Sequence, residues 1–474
     1  MVIEKKAYTK ESFPFISAAE KPDFKAAGYV EEEYFMRGTA NIYEETGENS
    51  KKVRYPDVPY CNRFLVRKPE HAEDFSGDVM IEILNATAGF DIDRMWILGK
   101  DEIMRRGAVY VGITSKPDVF ASLKKFHADR YGEISWKAPF ERKENEDEDE
   151  KNTDPKVVPR EKDQETGLFW DMLTDLTKYL RTDTQILPAG KDRKMYLLGW
   201  SQSVGYMTTY RNYFAFSEDG ENIFDGYLAA GGVHMLVIPL NQDGYGKALP
   251  HKEKVDIMPV PFIAAQTESE NAHFGAYEAR QENSDTPELK YRCYEIAGCT
   301  HDTVYSLLDY YKEDAYLYEI GVGPQYVGDN EHPNDYPSQY AFAALFSHLL
   351  DWVRKGIVPP EAPRIEVDEA LENVRDENGN AVGGVRLPQI DVPAATYYNY
   401  SDSGVIPDGR NPLFGHVEYF SKEKLTELYG TLAAYEAKVR ESAKQAVRHG
   451  YLLEVDKESC VQNAVQTAAR IGLE

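Results

Sequence analysis

The segment MYLLGWSQSVGY at 195–206 constrains this chain more than any other, because it sets one serine at the tip of a turn from a strand into a helix. Residues 195–198 are apolar enough to fill a buried strand, and the residues after Ser201 continue as a helix. Gly199 and Ser203 stand two residues to either side of Ser201, where large side chains would collide in a sharp elbow. A hydroxyl is a poor nucleophile until a base takes its proton, so it must project clear of the backbone toward a histidine and a substrate. The same turn leaves the first helical amides unpaired, and the Gln202 amide can face an oxyanion there. The usual pattern is G-x-S-x-G, and here Ser203 takes the place of the last glycine.

At 474 residues the chain is larger than one typical domain and long enough to bury a sizeable core. A net charge of -26 opposes binding to nucleic acid or anionic membranes through a broad basic surface. Part of that charge lies in ERKENEDEDEK at 141–151, which reads as an exposed insertion near 141–155. The opening residues MVIEKKAYTK lack the apolar run of a signal peptide, and no later segment resembles a membrane helix. A soluble protein is expected, cytoplasmic as written, with export open if a leader has been removed. Cys61, Cys293, Cys299 and Cys460 are too few and too scattered for a disulfide framework. Cys293 and Cys299 read as buried or half-buried thiols rather than a zinc site.

Apolar runs at 79–84, 108–113, 195–198, 226–230, 261–266 and 293–297 predict strands of a largely parallel sheet. Helices are predicted at 173–180 and 340–353, the second stopping before Gly356 and Pro359-Pro360. The pattern fits a doubly wound α/β core over 59–358, preceded by an N-terminal extension at 1–58 and followed by a C-terminal extension at 359–474. Two strand ends add chemistry: TESEN puts Glu268 and Glu270 on a turn, and GCTHD puts His301 in a loop. Ser201, then Glu270 or Glu268, then His301 is the nucleophile, acid, histidine order of an α/β-hydrolase. A second oxyanion donor is expected in LNAT at 84–87, from the backbone amide of Asn85 or Ala86, although Asn85 also suits an ordinary cap.

These blocks together resemble the alpha/beta-hydrolase-domain proteins of the Abhydrolase_10 type. The resemblance runs from Pro59 through the C-terminal region: VMIEILNATAGFD at 79–91, GWSQS at 199–203, EDGENIFDGYLAAGG at 218–232 and YEIAGCTHD at 294–302. It continues through WVRKGIVPPEAPRI at 352–365, ENGNAVGGVRLPQIDVPAATY at 377–397 and NPLFGHVEYFS at 411–421. It implies Ser201 as nucleophile, His301 as general base and then acid, and a glutamate of the TESE turn, Glu270 or Glu268, orienting the imidazole. Where the family often has glycine after SQS, this chain has Val204 before Gly205.

The implied reaction is carboxylic ester hydrolysis through an acyl-enzyme, with no metal or organic cofactor and a small-molecule ester as partner. Tyr206, Tyr210, Tyr397, Tyr398 and Tyr400 suggest an aromatic or sugar-linked ester. Two other readings stand beside it: an acyltransferase using the same nucleophile, and a noncatalytic ligand-binding protein of the same fold. A homo-oligomer is compatible with the sequence. The C-terminal extension, with turns at 376–389 and two amphipathic stretches within 422–449, is expected to pack on the core and wall the pocket.

Overall fold

The computed structural model describes residues 1–47, 49–140, 163–216, 220–232, 237–244, 255–312, 314–323, 332–402 and 409–474. The acidic run at 141–151 lies outside the described residues.

Three N-terminal strands, β1 (Val2–Lys6), β2 (Tyr29–Gly47) and β3 (Ser50–Pro69), pair antiparallel. After them come β4 (Asp78–Ile83), β5 (Val109–Ile113), β6 (Lys194–Trp200), β7 (Gly226–Ala230) and β8 (Met258–Thr267). A short β9 (Ser284–Asp285) and β10 (Leu289–Ile296) complete one ten-stranded sheet of order β1-β2-β3-β5-β4-β6-β7-β8-β10-β9. From β5 across to β10 every neighbour is parallel. The six runs predicted as strands are these six parallel strands, with β8 and β10 beginning earlier, at Met258 and Leu289. They are nearly continuous apolar stretches because both faces of a parallel sheet are covered. Val79, Ile81, Val111, Leu197, Leu228 and Ile263 are fully buried, each contributing about 1.5–3 kcal/mol relative to exposure.

Helices cover the sheet: α1 (Arg94–Arg105), α2 (Phe169–Thr182), α3 (Gln202–Phe214), α4 (Glu268–Phe274) and α5 (Ser338–Lys355). The predicted helices at 173–180 and 340–353 are the inner parts of α2 and α5, and α5 ends where Gly356 turns left-handed at φ 67°. The C-terminal region adds the antiparallel pair β11 (Ala395–Tyr398) and β12 (His416–Tyr419). It ends in α6 (Lys422–Tyr429), α7 (Leu432–Arg448) and α8 (Lys457–Ile471). It is fastened to the β10 side of the sheet, where Ile296 bridges Val385 and Asp302 bridges Phe414.

Two features of this architecture set up the site. The chain steps from β4 out to β5, then returns across β4 to β6, so the strand order reverses between β4 and β6. In open α/β sheets the crevice beyond the carboxyl ends at such a reversal is where ligands bind. The loop leaving β4 is also pinned from the N-terminal hairpin. On β3, buried Arg63 pairs with Glu33 at 2.7 Å and Asp91 at 2.8 Å, and buried Arg67 with Glu31 at 2.8 Å and Asp93 at 2.5 Å. Asp91 and Asp93 lie in the segment between β4 and α1, so these pairs tie the far side of the sheet to the crevice.

Among the described residues, no helix is long and apolar enough to cross a membrane, and no cluster of three or more His, Cys, Asp or Glu is arranged to hold a metal ion. The four cysteines are free and buried.

Candidate active site

β6 ends at Trp200 and α3 begins at Gln202, so Ser201 alone makes the turn, at φ 57° and ψ -120°. A side-chain-bearing residue in such a region costs about 1–3 kcal/mol and persists only where its surroundings hold it. They do: the Ser201 amide donates to the Ala230 carbonyl at 2.9 Å, and its own carbonyl accepts from Val204 at 2.9 Å. Crowding explains the glycines around it. A Cβ on Gly232 would sit 2.6 Å from the Ser201 carbonyl oxygen, and one on Gly199 would sit 3.1 Å from that of Ser203. Ser201 is half-buried and Gln202 exposed, so the tip of the elbow faces outward from a buried strand and a buried helix. As the first residue of α3, Gln202 has an amide with no partner one turn back in its helix.

The loop after β4 leans on this elbow. The Asn85 side-chain amide donates to the Trp200 carbonyl at 3.0 Å, and its side-chain oxygen accepts from the Thr87 amide at 2.8 Å. The Thr87 hydroxyl reaches the Gln202 side-chain oxygen at 3.5 Å. The Asn85 backbone amide is already donated to Ile92 at 3.1 Å, closing the loop on itself. Asn85 therefore acts through its side chain, which grips the carbonyl just before Ser201, while Ala86 is the next amide along the loop.

β8 and β10 bring the other two residue types to the same edge. Glu268 and Glu270 open α4 rather than an irregular turn. Thr267 caps that helix, its hydroxyl accepting from Ser269, while Glu270 Oε2 accepts the Thr267 amide at 2.6 Å in a capping box. The cap fixes the Glu270 rotamer, and its other oxygen, Oε1, meets His301 Nδ1 at 2.6 Å with both side chains buried. Glu268 points elsewhere: it accepts from the Gly298 amide at 2.5 Å, from Asn373 at 3.2 Å, and pairs with Arg375 at 2.8 Å. Of the two glutamates, Glu270 is the one against the imidazole, and Glu268 braces the base of the His301 loop against the C-terminal region.

His301 is held on all sides. Its backbone amide donates to the Ser269 hydroxyl at 3.1 Å. Its ring lies 5.4 Å from that of Trp200, the residue before Ser201, and 6.2 Å from that of Phe274. Burial pushes the imidazole toward its neutral form, but the hydrogen bond to Glu270 and the charges of Asp302 and Glu270 outweigh it, so its pKa rises above the ordinary 6.5, with Arg94 opposing. Burial likewise pushes Glu270 up, and the hydrogen bond and charge of His301 with the Thr267 contacts bring it below the ordinary value. An ionised Glu270 can only accept, so Nδ1 carries the proton and the lone pair of the neutral ring is on Nε2.

The tyrosines divide. Tyr206, Tyr210 and Tyr397 are buried among aromatic neighbours such as Trp170, Phe214 and Tyr336 and belong to the core. Tyr398 and Tyr400 are half-buried beside His416, which stacks on Tyr398 at 4.3 Å. Phe274, 41% exposed with its ring 6.2 Å from that of His301, is an aromatic neighbour that the motifs did not single out. Arg94 was equally unmarked: it reaches Asp302 at 2.5 Å and lies 5.5 Å from the Trp200 ring. Its partner stands next to His301 in CTHD, which was the available signal.

With this geometry in view, the sequence profile of Abhydrolase_10, described as an alpha/beta hydrolase domain, matches residues 4–462. No curated protein matches the chain. Among solved structures, a glucuronoyl esterase from Solibacter usitatus is 11% identical, with 67% of this chain and 86% of that chain covered and a TM-score of 0.30. The carboxylesterase Cest-2923 from Lactobacillus plantarum WCFS1 is 10% identical, with 62% and 99% covered and a TM-score of 0.30. The siderophore hydrolase EstA from Aspergillus nidulans is 12% identical, with 58% and 78% covered and a TM-score of 0.26. Superpositions this loose carry nothing about this chain's chemistry.

Proposed function

Because the chain belongs to the Abhydrolase_10 family of alpha/beta hydrolase domains, we propose that it is a serine-dependent carboxylic ester hydrolase working through an acyl-enzyme. The observation that carries this reading is the buried 2.6 Å contact between His301 Nδ1 and Glu270, on the edge of the sheet where Ser201 occupies its strained elbow.

In the proposed cycle neutral His301 takes the Ser201 proton on Nε2 as Oγ attacks the ester carbonyl, and Glu270 steadies the resulting imidazolium. The tetrahedral oxyanion is met by the amides of Gln202 and Ala86, the Asn85 amide being committed to Ile92. The imidazolium then protonates the departing alkoxide, leaving an acyl ester on Ser201. Water, deprotonated by His301, attacks that ester and releases the acid, and the proton returns to Ser201. Each step conserves one proton between Ser201, His301 and the leaving alcohol or incoming water. Phe274 beside His301, together with the half-buried Tyr398 and Tyr400, offers apolar faces suited to an aromatic or sugar-linked ester.

The test is turnover of a panel of aryl and alkyl esters by wild type and Ser201→Ala. We expect hydrolysis of at least one ester by wild type and its loss on the order of 10³-fold or more in the variant, with thermal unfolding unchanged. Equal turnover by both proteins overturns the reading, and product appearing mainly on an added alcohol instead of water moves it to acyl transfer.

A further inference from the structure

Between the elbow and the His301 loop lies a buried ion pair that the cycle above does not use. Arg94, at the start of α1, is 2% exposed and reaches Asp302, the residue after His301, at 2.5 Å. The same guanidinium donates to the Ser306 hydroxyl at 3.0 Å and lies 5.5 Å from the Trp200 ring. Trp200 in turn sits 5.4 Å from the His301 ring and is covalently next to Ser201. Arg94 thus touches the residue before the serine, the residue after the histidine and the π-helical turn (Val304–Asp309) that follows. Desolvating two charges is costly, and a buried pair of this kind is often no more stabilising than an apolar substitute, so stability alone is a weak reason for it.

We propose that Arg94 and Asp302 are positioning residues for the ester hydrolase reaction: their ion pair locks the His301 loop against the serine elbow and places one charge of each sign beside the imidazole. The proposal rests on His301 being the general base. The charged groups around that ring come from three directions. Glu270 arrives from α4 and is hydrogen-bonded to it, Asp302 lies on its own loop, and Arg94 arrives from α1. Glu268, also on α4, is neutralised by Arg375, and burial holds the Cys299 thiol well above its ordinary pKa and so uncharged. The charge of Asp302 favours the imidazolium and that of Arg94, the smaller of the two effects, disfavours it, so each half of the pair pulls the ring in the opposite sense.

This arrangement makes the two halves of the pair separable by sign. Asp302→Asn leaves Arg94 uncompensated, disfavours the imidazolium and lowers the pH at which the base becomes competent. Arg94→Gln leaves Asp302 uncompensated and raises it. A purely architectural pair would slow the reaction in both variants without moving the pH dependence in opposite directions.

The experiment is the rate at which a small organophosphonate labels Ser201 as a function of pH, in wild type, Asp302→Asn, Arg94→Gln and Arg94→Lys, with site mapping of the adduct. We expect the acid limb to fall in Asp302→Asn and rise in Arg94→Gln, each by on the order of one pH unit, with Arg94→Lys close to wild type. Shifts in the same direction, or no shift in proteins with wild-type circular dichroism, overturn the proposal while leaving the hydrolase reading standing. If Arg94→Gln does not fold, Asp302→Asn decides alone, and a limb that stays or rises overturns it. A His301→Ala control labelled at the wild-type rate removes the general base itself, and both readings fall together.

Discussion

Ser201 occupies a backbone conformation that glycine adopts readily, and hydrogen bonds to Ala230 and Val204 hold it there. Ser201→Gly is therefore expected to abolish turnover while raising the unfolding free energy by about 1 kcal/mol, the relief of strain exceeding the entropy glycine adds to the unfolded chain. Ser201→Ala keeps the strain and should lose turnover with no gain, and denaturant titration of the two variants separates the cases. The two glutamates of the TESE turn are distinguished by what each one touches. Glu270→Gln removes the charge behind His301, so kcat/KM should fall by roughly 10²–10⁴-fold. The sign of its pH effect follows from the raised imidazole pKa. In wild type the acid limb of kcat/KM lies above 6.5, because the base must shed its proton first, and in Glu270→Gln it moves down. Glu268→Gln should leave the limb in place and instead cost about 1–3 kcal/mol of stability, by weakening its contacts with Gly298 and Arg375. In the sequence these two residues sit two positions apart in one acidic turn. The choice depends on partners thirty and a hundred residues away.

At the level of elements, the parallel strands were legible because burial on both faces leaves short continuous apolar runs, and the elbow because its small residues answer to a steric need. The long hairpin of β2 and β3 was not. Tyr29, Glu31, Glu33 and Phe35 share one buried face of β2, and the two glutamates on it are charged residues facing Arg67 and Arg63. A buried strand face carrying carboxylates has no apolar alternation to read, and only its tertiary partners make it a core element. The helix α8 did carry a signal, with Cys460, Val461, Ala464, Val465 and Ala468 buried at helical spacing. The acidic turn became a capped helix because Thr267 and Glu270 form a capping box, which the T-x-x-E spacing spells out. That cap has a functional consequence. Thr267→Ala is expected to cost about 1 kcal/mol and, by loosening the helix start that fixes Glu270, to lower kcat more than it raises KM. Steady-state kinetics beside thermal unfolding measures both effects.

Over the whole molecule, the site is assembled from regions far apart in the chain. The N-terminal hairpin holds the loop after β4 through Arg63 and Arg67, and the C-terminal region holds α4 through Asn373 and Arg375 and through the Asn399 carbonyl, which accepts from Ser269. Neither attachment belongs to the crevice itself, yet the first ends in the loop that bears Ala86 and the second on Glu268 and Ser269, one or two residues from Glu270. Arg63→Met should strand Asp91 as a buried carboxylate without its ion pair, while Glu33 keeps Arg130, and cost about 3–5 kcal/mol of stability, measured by urea unfolding. The surviving folded fraction should be a slower enzyme, since Asp91 anchors the loop bearing Ala86. The expectations about turnover all depend on Ser201 being an activated nucleophile. The most direct measurement is intact-protein mass spectrometry with site mapping after exposure to a small organophosphonate, comparing wild type, Ser201→Ala and His301→Ala. We expect one adduct, on Ser201, absent from both folded variants. An unlabelled wild-type protein to which the probe demonstrably has access, or an adduct that persists in His301→Ala at the wild-type rate, would contradict it.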